Sequence, residues 1–363
     1  MKIIVAGGGT GGHIYPAISV VQSLQKIDSS IEVLFVGTPQ GLESKIIPQA
    51  GYKLALIQSG KLNFSGQLMQ KLKSLLKVPV GLVQSFNILL KEKPDFVLGV
   101  GGYASAPLVF VAAVIGHRTA IWEPNAHPGM ANRILSRFVD KSYLVFAEAA
   151  KYLKSKNNLV LGMPLRSEIE NADLDRAKNS DFTILCFGGS QGSMFLNDKI
   201  SDLVLQNPDL ASKIRIIHQT GARDFKRMQE KYKNHPAIEV HEYIYDMPRY
   251  YNQADLLFCR GGASTLAEAA AFGVVPVVVP LPAADDHQQR NAEALVKVNA
   301  GIMFLQNEFD DKQFYQQIEN LIENKMILKE MSARLKQIVT KGAAEKIAND
   351  ILNSIKNNVP LKK

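Results

Sequence analysis

The chain has 363 residues, of which 46% are hydrophobic and 21% are charged. That length predicts two or three domains, and the apolar share is enough for packed cores, which excludes a disordered or fibrous chain. The formal net charge is +8, and residues 1–163 hold all of the excess, with 17 basic and 8 acidic side chains. This asymmetry suggests that the first half faces an anionic partner, although a basic surface without any partner explains it equally well.

The cysteine content and the hydropathy pattern limit where the protein works. The two cysteines, Cys186 and Cys259, are too few for a disulfide framework and predict a reducing, cytosolic setting. The first apolar run is too short for a cleavable signal peptide. No apolar run reaches the roughly 18 residues that a membrane-spanning helix needs, so we expect no membrane span.

Short apolar runs alternate with helix-length segments along the whole chain. In the first half the predicted strands are residues 2–6, 31–36, 53–57, 95–99, 119–122 and 141–145. The second half repeats the pattern, with predicted strands at residues 182–187, 214–218, 238–240, 256–259 and 274–279. This alternation is typical of parallel sheets covered by helices. The sequence therefore predicts an α/β protein with two Rossmann-like, doubly wound domains facing a cleft.

A polar stretch separates the two halves. Residues 167–181 contain no aliphatic run, so we predict a linker near residues 163–181. Beyond residue 301 the pattern becomes helical, and the predicted helices are residues 310–324, 326–340 and 343–357.

Three glycine-rich segments follow predicted strands, at residues 7–13, 99–107 and 188–193, and we predict that a helix starts near Tyr15-Pro16, after the first of them. Glycine lets backbone N–H groups approach a ligand closely, and a helix N-terminus favours negative charge, so these segments suit a phosphate group. A dinucleotide site would need an acidic residue at the end of the second strand, where the chain reads Gly37-Thr38 instead. No segment carries the lysine of a nucleoside triphosphatase loop, so that class is also disfavoured.

A fourth segment at a strand end, residues 260–268, combines Arg260, two glycines, hydroxyl groups and Glu268. A diphosphate could dock on its amides, and Glu268 could accept hydrogen bonds from a ribose diol. The alternative is a helix cap formed by Ser264 or Thr265 with the acid that follows. Capping explains the hydroxyl groups and the acid, but it does not explain the glycines or Arg260.

Several polar side chains near the predicted strand ends are candidates for chemistry. His13 is the only histidine within a glycine-rich segment and could take a proton from an attacking hydroxyl, although a lone histidine is usually structural. Glu123 and Asn125 follow a predicted strand and could hold an acceptor. Residues 285–292 place two aspartates beside His287, but their spacing matches no standard zinc or calcium site, so we predict a polar helix start there.

Residues 64–93 are rich in basic and apolar side chains, and Glu92 is the single acidic residue among them. This pattern favours shallow contact with anionic lipid, although an ordinary amphipathic helix packed on the sheet would use some of the same side chains. Nucleic acid fits less well, because aromatic residues are scarce and no binding motif is present. The predicted membrane contacts are Lys71, Lys73, Leu75, Leu76 and Lys77.

Five motifs are spread over nearly the whole chain. They read GGTGGH at residues 8–13, GGY at 101–103, GMPLR at 162–166, GGSQG at 188–192 and CRGGA at 259–263. In this order they resemble the motifs of the MurG family of peptidoglycan N-acetylglucosaminyltransferases. The resemblance implies a GT-B fold with an acceptor-binding, membrane-associated domain at residues 1–163 and a donor-binding domain at residues 164–340. It also implies that a C-terminal helix within residues 341–363 returns to the first domain.

The resemblance further implies a reaction and a setting. The expected reaction is inverting transfer of N-acetylglucosamine from UDP-N-acetylglucosamine to the undecaprenyl-linked lipid I, which forms lipid II in peptidoglycan synthesis. The expected location is peripheral, on the cytoplasmic face of the plasma (inner) membrane, without a metal or other cofactor and with partners among cell-wall and division proteins. Two alternatives stay open: another GT-B enzyme, such as a diacylglycerol glycosyltransferase or a UDP-sugar epimerase, and a non-catalytic membrane-bound protein that binds nucleotide sugars.

The resemblance also implies roles for individual residues. His13 is the implied base or acceptor-side group, Asn132 would assist it, and Ile244 would lie beside the uracil. Glu123, at its strand end, is a further catalytic candidate. Among the implied donor-binding residues, Glu268 would hold the ribose and Gln288 would reach the sugar. The others are Thr10, Gly11, Gly12, Asn125, Arg166, Ser190, Ile244, Ala263, Ser264, Thr265, Leu266 and Ala267. We also predict donor binding by Gln191, Arg260 and Gln289, which belong to the polar segments described above. The implied acceptor contacts are Gly101, Gly102 and Tyr103. The chain departs from the family at Pro124, where a polar residue is usual, and at Met163, where asparagine is common.

Overall fold

The computed structural model describes residues 1–59, 68–172, 181–282, 286–338 and 340–357, with the backbone alone for residues 68–77. The chain divides into two units, one made of Met1–Arg166 with Thr340–Lys363 and the other of Ser167–Val339. Each unit contains one parallel sheet flanked by helices, so the predicted α/β class with two Rossmann-like domains is confirmed.

The first unit is built on a seven-stranded sheet. Its strands are β1 (Lys2–Ala6), β2 (Glu32–Gly37), β3 (Lys53–Leu56), β4 (Phe96–Gly99), β5 (Thr119–Glu123), β6 (Lys141–Leu144) and β7 (Asn157–Val160). Its first five helices are α1 (Gly11–Ile27), α2 (Glu43–Gln49), α3 (Leu68–Glu92), α4 (Ser105–Val114) and α5 (Met130–Leu135), and a 3-10 turn covers Ala147–Tyr152. The strand order is β3-β2-β1-β4-β5-β6-β7, so the order reverses direction between β1 and β4.

The second unit has a six-stranded sheet of the same design. Its strands are β8 (Phe182–Phe187), β9 (Ile214–Gln219), β10 (Ile238–His241), β11 (Leu256–Cys259), β12 (Val275–Val278) and β13 (Ile302–Met303). Its helices are α6 (Ser167–Glu170), α7 (Met194–Leu205), α8 (Pro208–Ala211), α9 (Phe225–Lys231), α10 (Met247–Gln253), α11 (Ala263–Phe272), α12 (His287–Lys297), α13 (Asp311–Glu323) and α14 (Lys325–Lys336), with a 3-10 turn at Gln306–Glu308. The order β10-β9-β8-β11-β12-β13 reverses between β8 and β11.

Two strands and one helix were not expected from the sequence. The edge strand β7 begins with two asparagines and is only partly buried, so it has no apolar run to mark it. Strand β13 has two residues and is too short to show a pattern. Within the segment predicted as a linker, α6 forms one helical turn whose Ile169 is buried and which lies against α10 and α11.

A buried polar network supports the carboxyl end of β9. The two ring nitrogens of His218 lie 3.1 Å from the hydroxyl of Tyr232 and 2.9 Å from Oδ1 of Asn197. The Asn197 amide in turn donates to the carbonyl oxygen of Thr220 and to Asp224. Burial lowers the pKa of His218 to about 3, so the imidazole is neutral and both of its nitrogens serve the network.

The final helix, α15 (Ala343–Lys356), belongs to the first unit and packs along α1. Its Asp350 accepts hydrogen bonds from Lys141 at 2.7 Å and from the Tyr143 hydroxyl at 2.7 Å, both on β6. Arg118 donates to the carbonyl oxygen of Ile355 at 3.1 Å. Because the inner face of α15 is buried, this helix forms part of the core of the first unit, together with elements from the start of the sequence.

Candidate active site

The four motif segments follow strands that are neighbours in their sheets. Residues 7–12 follow β1 and residues 100–103 follow β4, and these two strands pair. Residues 188–192 follow β8 and residues 260–262 follow β11, which also pair. In both sheets this is where the strand order reverses direction, and ligands of doubly wound sheets bind there, beyond the carboxyl ends of the strands. Each unit thus joins two motifs that are far apart in the sequence.

His13 lies where the two glycine-rich segments of the first unit touch. The Gly8 N–H donates to the carbonyl oxygen of Gly101 at 3.1 Å, and the backbone of Gly8 fills the space that a side chain on Gly102 would need. A Cβ atom on Gly101 would lie 2.9 Å from Nε2 of His13, so glycine leaves room for the imidazole. The structure therefore brings His13 together with Gly101 and Gly102, two of the predicted acceptor contacts, and Tyr103 beside them has an exposed side chain.

Helix α1 begins at Gly11, a turn earlier than the start near Pro16 that the sequence predicted. Thr10 is the N-cap residue, with extended backbone, and its side chain makes no capping bond. The first turn carries no acidic residue. The first N–H groups of the helix therefore present partial positive charge at the end of β1, which suits an anion at the predicted contacts Thr10, Gly11 and Gly12.

The loop after β5 is organised by one buried carboxylate. Glu123 is 2% exposed, and its Oε1 accepts from the N–H and the side-chain amide of Asn125. Its Oε2 accepts from the Gly129 N–H at 3.1 Å and from the Asn132 amide at 2.9 Å. Burial raises the pKa of the Glu123 carboxyl, and these hydrogen bonds oppose that shift. Both carboxylate oxygens bind their own loop, so Glu123 and Asn132 hold the loop that presents Asn125.

Arg166 and Met163 follow β7 in the first unit, and Pro124 lies in the loop after β5. The Arg166 guanidinium stands 5.5 Å from the ring centroid of Tyr15, a cation–π contact that ties it to the start of α1. Pro124 and Met163 are both buried.

In the second unit Arg260 connects three loops. One terminal nitrogen donates to the carbonyl oxygens of Val279 at 3.1 Å and Pro280 at 3.3 Å, and the other donates to Oγ of Ser193 at 2.8 Å. Sequence reasoning placed Arg260 among the diphosphate contacts, whereas these bonds join the ends of β11 and β12 to the start of α7. The neighbouring Ser190 and Gln191, which were also predicted to bind the donor, are exposed.

Gln219 is a site residue that sequence reasoning missed. It ends β9, is almost completely buried, and its amide donates to the carbonyl oxygen of Gly189 at 2.9 Å. Its Oε1 accepts from the N–H of Ile244 at 3.0 Å. One side chain therefore sets the spacing between the glycine-rich segment after β8 and Ile244, the predicted neighbour of the uracil.

The start of α11 is open rather than capped. Gly262 is the N-cap residue, and no side chain caps the helix, so neither Ser264 nor Thr265 plays that part. The N–H groups of Ala263 and its neighbours at the helix start are thus oriented towards the carboxyl end of β11. One turn later, Glu268 accepts a hydrogen bond at 3.3 Å from the hydroxyl of Tyr251, a fully buried residue.

Helix α12 lies against the segment after β11 through two amide side chains. Oε1 of Gln288 accepts from the N–H groups of Gly261 at 3.1 Å and Leu281 at 2.9 Å. The buried Asn291, which sequence reasoning did not single out, donates to the carbonyl oxygen of Gly261 at 3.1 Å. The predicted donor contact Gln289 instead pairs with Glu293 on its own helix. Leu266 and Ala267, also predicted, are buried in α11.

Within the described ranges, side chains that could ligate a metal do not cluster, and both thiols are buried. Across those residues, no three His, Cys, Asp or Glu side chains come together in a way that could hold a metal ion. Asp285, beside the predicted polar helix start, lies outside the described residues. Cys186 and Cys259 are buried, and burial raises the pKa of both thiols, so neither is an accessible nucleophile.

The outer face of α3 carries an exposed apolar stripe. It comprises Val80, Val83, Phe86 and Leu90. Lys91 and Lys93 follow at the end of the helix and are exposed. The predicted membrane contacts at residues 71–77 precede this stripe on the same helix, but their side chains lie outside those described. Of the helices in the described ranges, none is long and apolar enough to cross a bilayer.

Comparison with known proteins identifies the family. The model of the glycosyltransferase family 28 N-terminal domain matches residues 3–144, and that of the C-terminal domain matches residues 183–349. The UDP-N-acetylglucosamine--N-acetylmuramyl-(pentapeptide) pyrophosphoryl-undecaprenol N-acetylglucosamine transferase of Bdellovibrio bacteriovorus is 53% identical over 97% of this chain and 98% of its own length. The chain belongs to glycosyltransferase family 28. The enzyme of the same name from Syntrophus aciditrophicus is 38% identical over 98% of the chain and 99% of its own length.

Solved structures agree with membership of family 28. The crystal structure of Acinetobacter baumannii MurG superposes with a TM-score of 0.80 at 28% identity, covering 97% of this chain and 99% of the other. The UDP-GlcNAc 2-epimerase of Neisseria meningitidis superposes with a TM-score of 0.65 at 15% identity over 98% of this chain and all of its own, which shows a common fold alone. The family 28 chain is therefore a glycosyltransferase of the GT-B fold, as its motifs predicted.

Proposed function

We propose that this glycosyltransferase moves N-acetylglucosamine from UDP-N-acetylglucosamine to lipid I, the undecaprenyl-pyrophosphoryl-N-acetylmuramoyl-pentapeptide, and so forms lipid II for peptidoglycan synthesis. The observation that carries the proposal is the 53% identity over 97% of the chain to a transferase named for this donor and this acceptor. The first unit would bind the acceptor, and the second would bind the nucleotide. This reaction would place the enzyme among the proteins that maintain cell shape and division.

The proposed chemistry is a single displacement at the anomeric carbon. The acceptor hydroxyl oxygen bonds to that carbon while the bond to the UDP oxygen breaks on the opposite face, which inverts the configuration to a β-linkage. UDP leaves with the bonding electron pair, and the hydroxyl proton passes to a base. The transition state resembles an oxocarbenium ion, as in glycoside hydrolysis.

The leaving UDP gathers negative charge that must be stabilised. The open start of α11 offers backbone N–H groups and the positive end of a helix dipole for this purpose. We assign the diphosphate to that helix start and to the amides of residues 188–192. Arg260 would support those loops, because its guanidinium donates hydrogen bonds to Ser193, Val279 and Pro280. No step of this mechanism requires a metal ion.

Recognition of the nucleoside would involve Ile244 and Glu268. The Glu268 carboxylate is supported by the buried Tyr251 hydroxyl and could accept from both ribose hydroxyls. Ile244 is buried, and its backbone is fixed by Gln219, which also binds Gly189. The pocket for the uracil would thus depend on Gln219, which does not itself touch the uracil.

This arrangement yields a prediction for Gln219. The Gln219→Leu variant should bind UDP about tenfold or more weakly, since two buried hydrogen bonds that fix the pocket are lost. The UDP affinity of Gln219→Glu should lie between those of the wild type and Gln219→Leu. Glutamate keeps an acceptor for the Ile244 N–H, but it turns an oxygen towards the Gly189 carbonyl. Calorimetric titration with UDP measures the effect. Gln206→Leu, at an exposed position that ends α7, is the matched control. Unchanged UDP affinity in Gln219→Leu would contradict this role.

His13 is our choice for the base that accepts the hydroxyl proton. It lies between the two glycine-rich segments of the first unit and against the proposed acceptor contacts Gly101 and Gly102. Glu123 is a poorer choice, because both of its oxygens accept hydrogen bonds from its own loop. An imidazole in the first turn of α1, beside these segments, can take a proton from a hydroxyl group next to it.

We further propose that the enzyme attaches to the cytoplasmic face of the membrane through α3. The exposed stripe of Val80, Val83, Phe86 and Leu90 suits shallow insertion, and the lysines along the segment suit anionic headgroups. The excess of basic residues in the first half of the chain supports the same surface.

Membrane attachment of this kind should depend on salt. Raising the salt concentration to about 0.5 M should release the protein from anionic vesicles, because screening shortens the reach of the lysine charges. Replacing Lys71, Lys73 and Lys77 together with glutamine should weaken vesicle sedimentation at low salt. The same change at Lys226, Lys312 and Lys329, exposed on the second unit, should not. If vesicle binding does not change with salt concentration, the exposed apolar stripe of α3 alone makes the membrane contact.

A transfer assay with radiolabelled donor separates the possible reactions. We expect label in lipid II when a lipid I analogue is supplied, and none in lipid when diacylglycerol is supplied. Label in the diacylglycerol product would identify a different lipid glycosyltransferase. Conversion of the free nucleotide sugar without acceptor would identify an epimerase. Binding of UDP-N-acetylglucosamine without transfer or hydrolysis would identify a non-catalytic binding protein.

A further inference from the structure

Glu43 is a buried acid that none of the motifs contains. It is the first residue of α2 and is only 2% exposed. Its Oε2 accepts from the Gly9 N–H at 2.7 Å, and its Oε1 accepts from the N–H of Thr38 at 2.8 Å and from the Thr38 hydroxyl at 2.9 Å. A single carboxylate thus joins the glycine-rich segment after β1 to the loop after β2.

The surroundings of Glu43 are shaped to receive this carboxylate. A Cβ atom added to Gly8, Gly37 or Gly41 would overlap the side chain of Glu43. Gly8 lies in the segment after β1, Gly37 ends β2 and Gly41 lies between β2 and α2, and each leaves space for the same acid. A favourable charge in the first turn of α2 would explain an acid at this position, but it would not explain a bond to Gly9 or the space left at three glycines.

We propose that Glu43 is a positioning residue for the transfer reaction, one that holds residues 7–12 so that the start of α1 and His13 face the acceptor. Gly9 directly precedes Thr10, the N-cap residue of α1, and the His13 N–H bonds to the Thr10 carbonyl oxygen. Fixing Gly9 therefore fixes the first turn of the helix that carries His13. This role rests on the function proposed above, because it concerns the acceptor side of that reaction.

The same bond limits which amides can bind an anion. The Gly9 N–H is occupied by Glu43, and the carboxylate lies beside it. An anion at residues 7–12 would be repelled from Gly9 and would have to use the N–H groups at Thr10, Gly11 and Gly12. Glu43 therefore directs the anion-binding part of the segment towards the start of α1.

The test compares Glu43→Gln with the wild type in the full-length enzyme. Glutamine keeps the shape, but it offers one acceptor oxygen and turns an N–H2 group towards one of the donors. Hydrogen exchange in residues 7–12, followed by mass spectrometry, should become about tenfold faster, and kcat with a lipid I analogue should fall about ten- to a hundredfold. The affinity for UDP should change by less than about twofold, because the residues proposed to hold UDP lie in the second unit.

Two further variants keep the test decisive. Thr38→Val removes one of the three hydrogen bonds and should give a smaller effect in the same direction, which serves if Glu43→Gln does not fold. Glu32→Gln, a surface acid at the opposite end of the sheet that pairs with Lys2, should match the wild type in every measurement. Wild-type exchange and kcat in both Glu43→Gln and Thr38→Val would overturn the proposal. If Glu43→Gln exchanges faster in residues 7–12 but the wild type transfers no sugar to lipid I, then Glu43 does hold this segment and the proposed reaction is wrong.

Discussion

The His13→Ala enzyme should turn over about 10²- to 10⁴-fold more slowly than the wild type, the range that a positioned general base contributes. Its affinity for UDP should stay within about twofold, because the residues proposed to hold the nucleotide lie in the other unit. The comparison needs kcat from the radiolabelled transfer assay and a calorimetric Kd for UDP. A fall in kcat without a fall in UDP affinity is the signature of a group that acts on the acceptor hydroxyl.

The control for His13 is a second histidine of the same unit. His117 precedes β5, at the opposite end of the sheet from the motif segments, and burial lowers its pKa. His117→Ala should therefore leave kcat unchanged once folding has been checked by thermal unfolding. Full turnover in His13→Ala would show that His13 is not the base. Another polar group near Gly101 would then have to accept the hydroxyl proton.

Loss of the Glu123 carboxylate should affect both folding and turnover. In Glu123→Ala four donors, from Asn125, Gly129 and Asn132, lose their acceptor at a buried site. We expect the free energy of unfolding to fall by about 2–4 kcal/mol and kcat to fall at least about tenfold, because the loop after β5 no longer holds its shape. Urea denaturation and the transfer assay measure the two effects.

Glu123→Gln separates positioning from chemistry. It keeps the side-chain shape and one acceptor oxygen, so a positioning role predicts partial recovery of both stability and kcat relative to Glu123→Ala. A base at this position would instead lose nearly all turnover in Glu123→Gln while stability recovered. That second pattern would restore Glu123 as the proton acceptor and displace His13.

Much of the fold could be predicted because its strands are buried on both faces. The runs at Lys2–Ala6 and Phe182–Phe187 are continuous and apolar and end in glycines, and their bounds match the prediction. Edge strand β7 could not be recognised, because an edge strand needs no such run and its asparagines resemble a loop. The start of α1 was placed too late, because Pro16 suggested a first turn where the structure has the second.

The candidate site was only half visible in the sequence, for a related reason. Glycine-rich segments are local patterns and can be read from consecutive residues. Glu43 and Gln219 act through partners that are 34 and 30 residues away in the chain, so no local pattern marks them. One weak signal existed for Gln219, which is a polar residue at the carboxyl end of an otherwise largely apolar strand. The pairing of β1 with β4, which seats His13 against Gly101, depends on sheet order and not on sequence spacing.

The position of α15 has a consequence for how the protein is made. Ile347, Ile351 and Leu352 are buried in the first unit, and Asp350 binds Lys141 and Tyr143 there. The ribosome completes the second unit before it reaches these residues. The first unit, although its sheet is translated first, lacks a helix of its core until the whole second unit has been translated. The unit whose sheet is translated first therefore completes its core last. Until α15 has been made, the apolar side of α1 that it covers stays exposed.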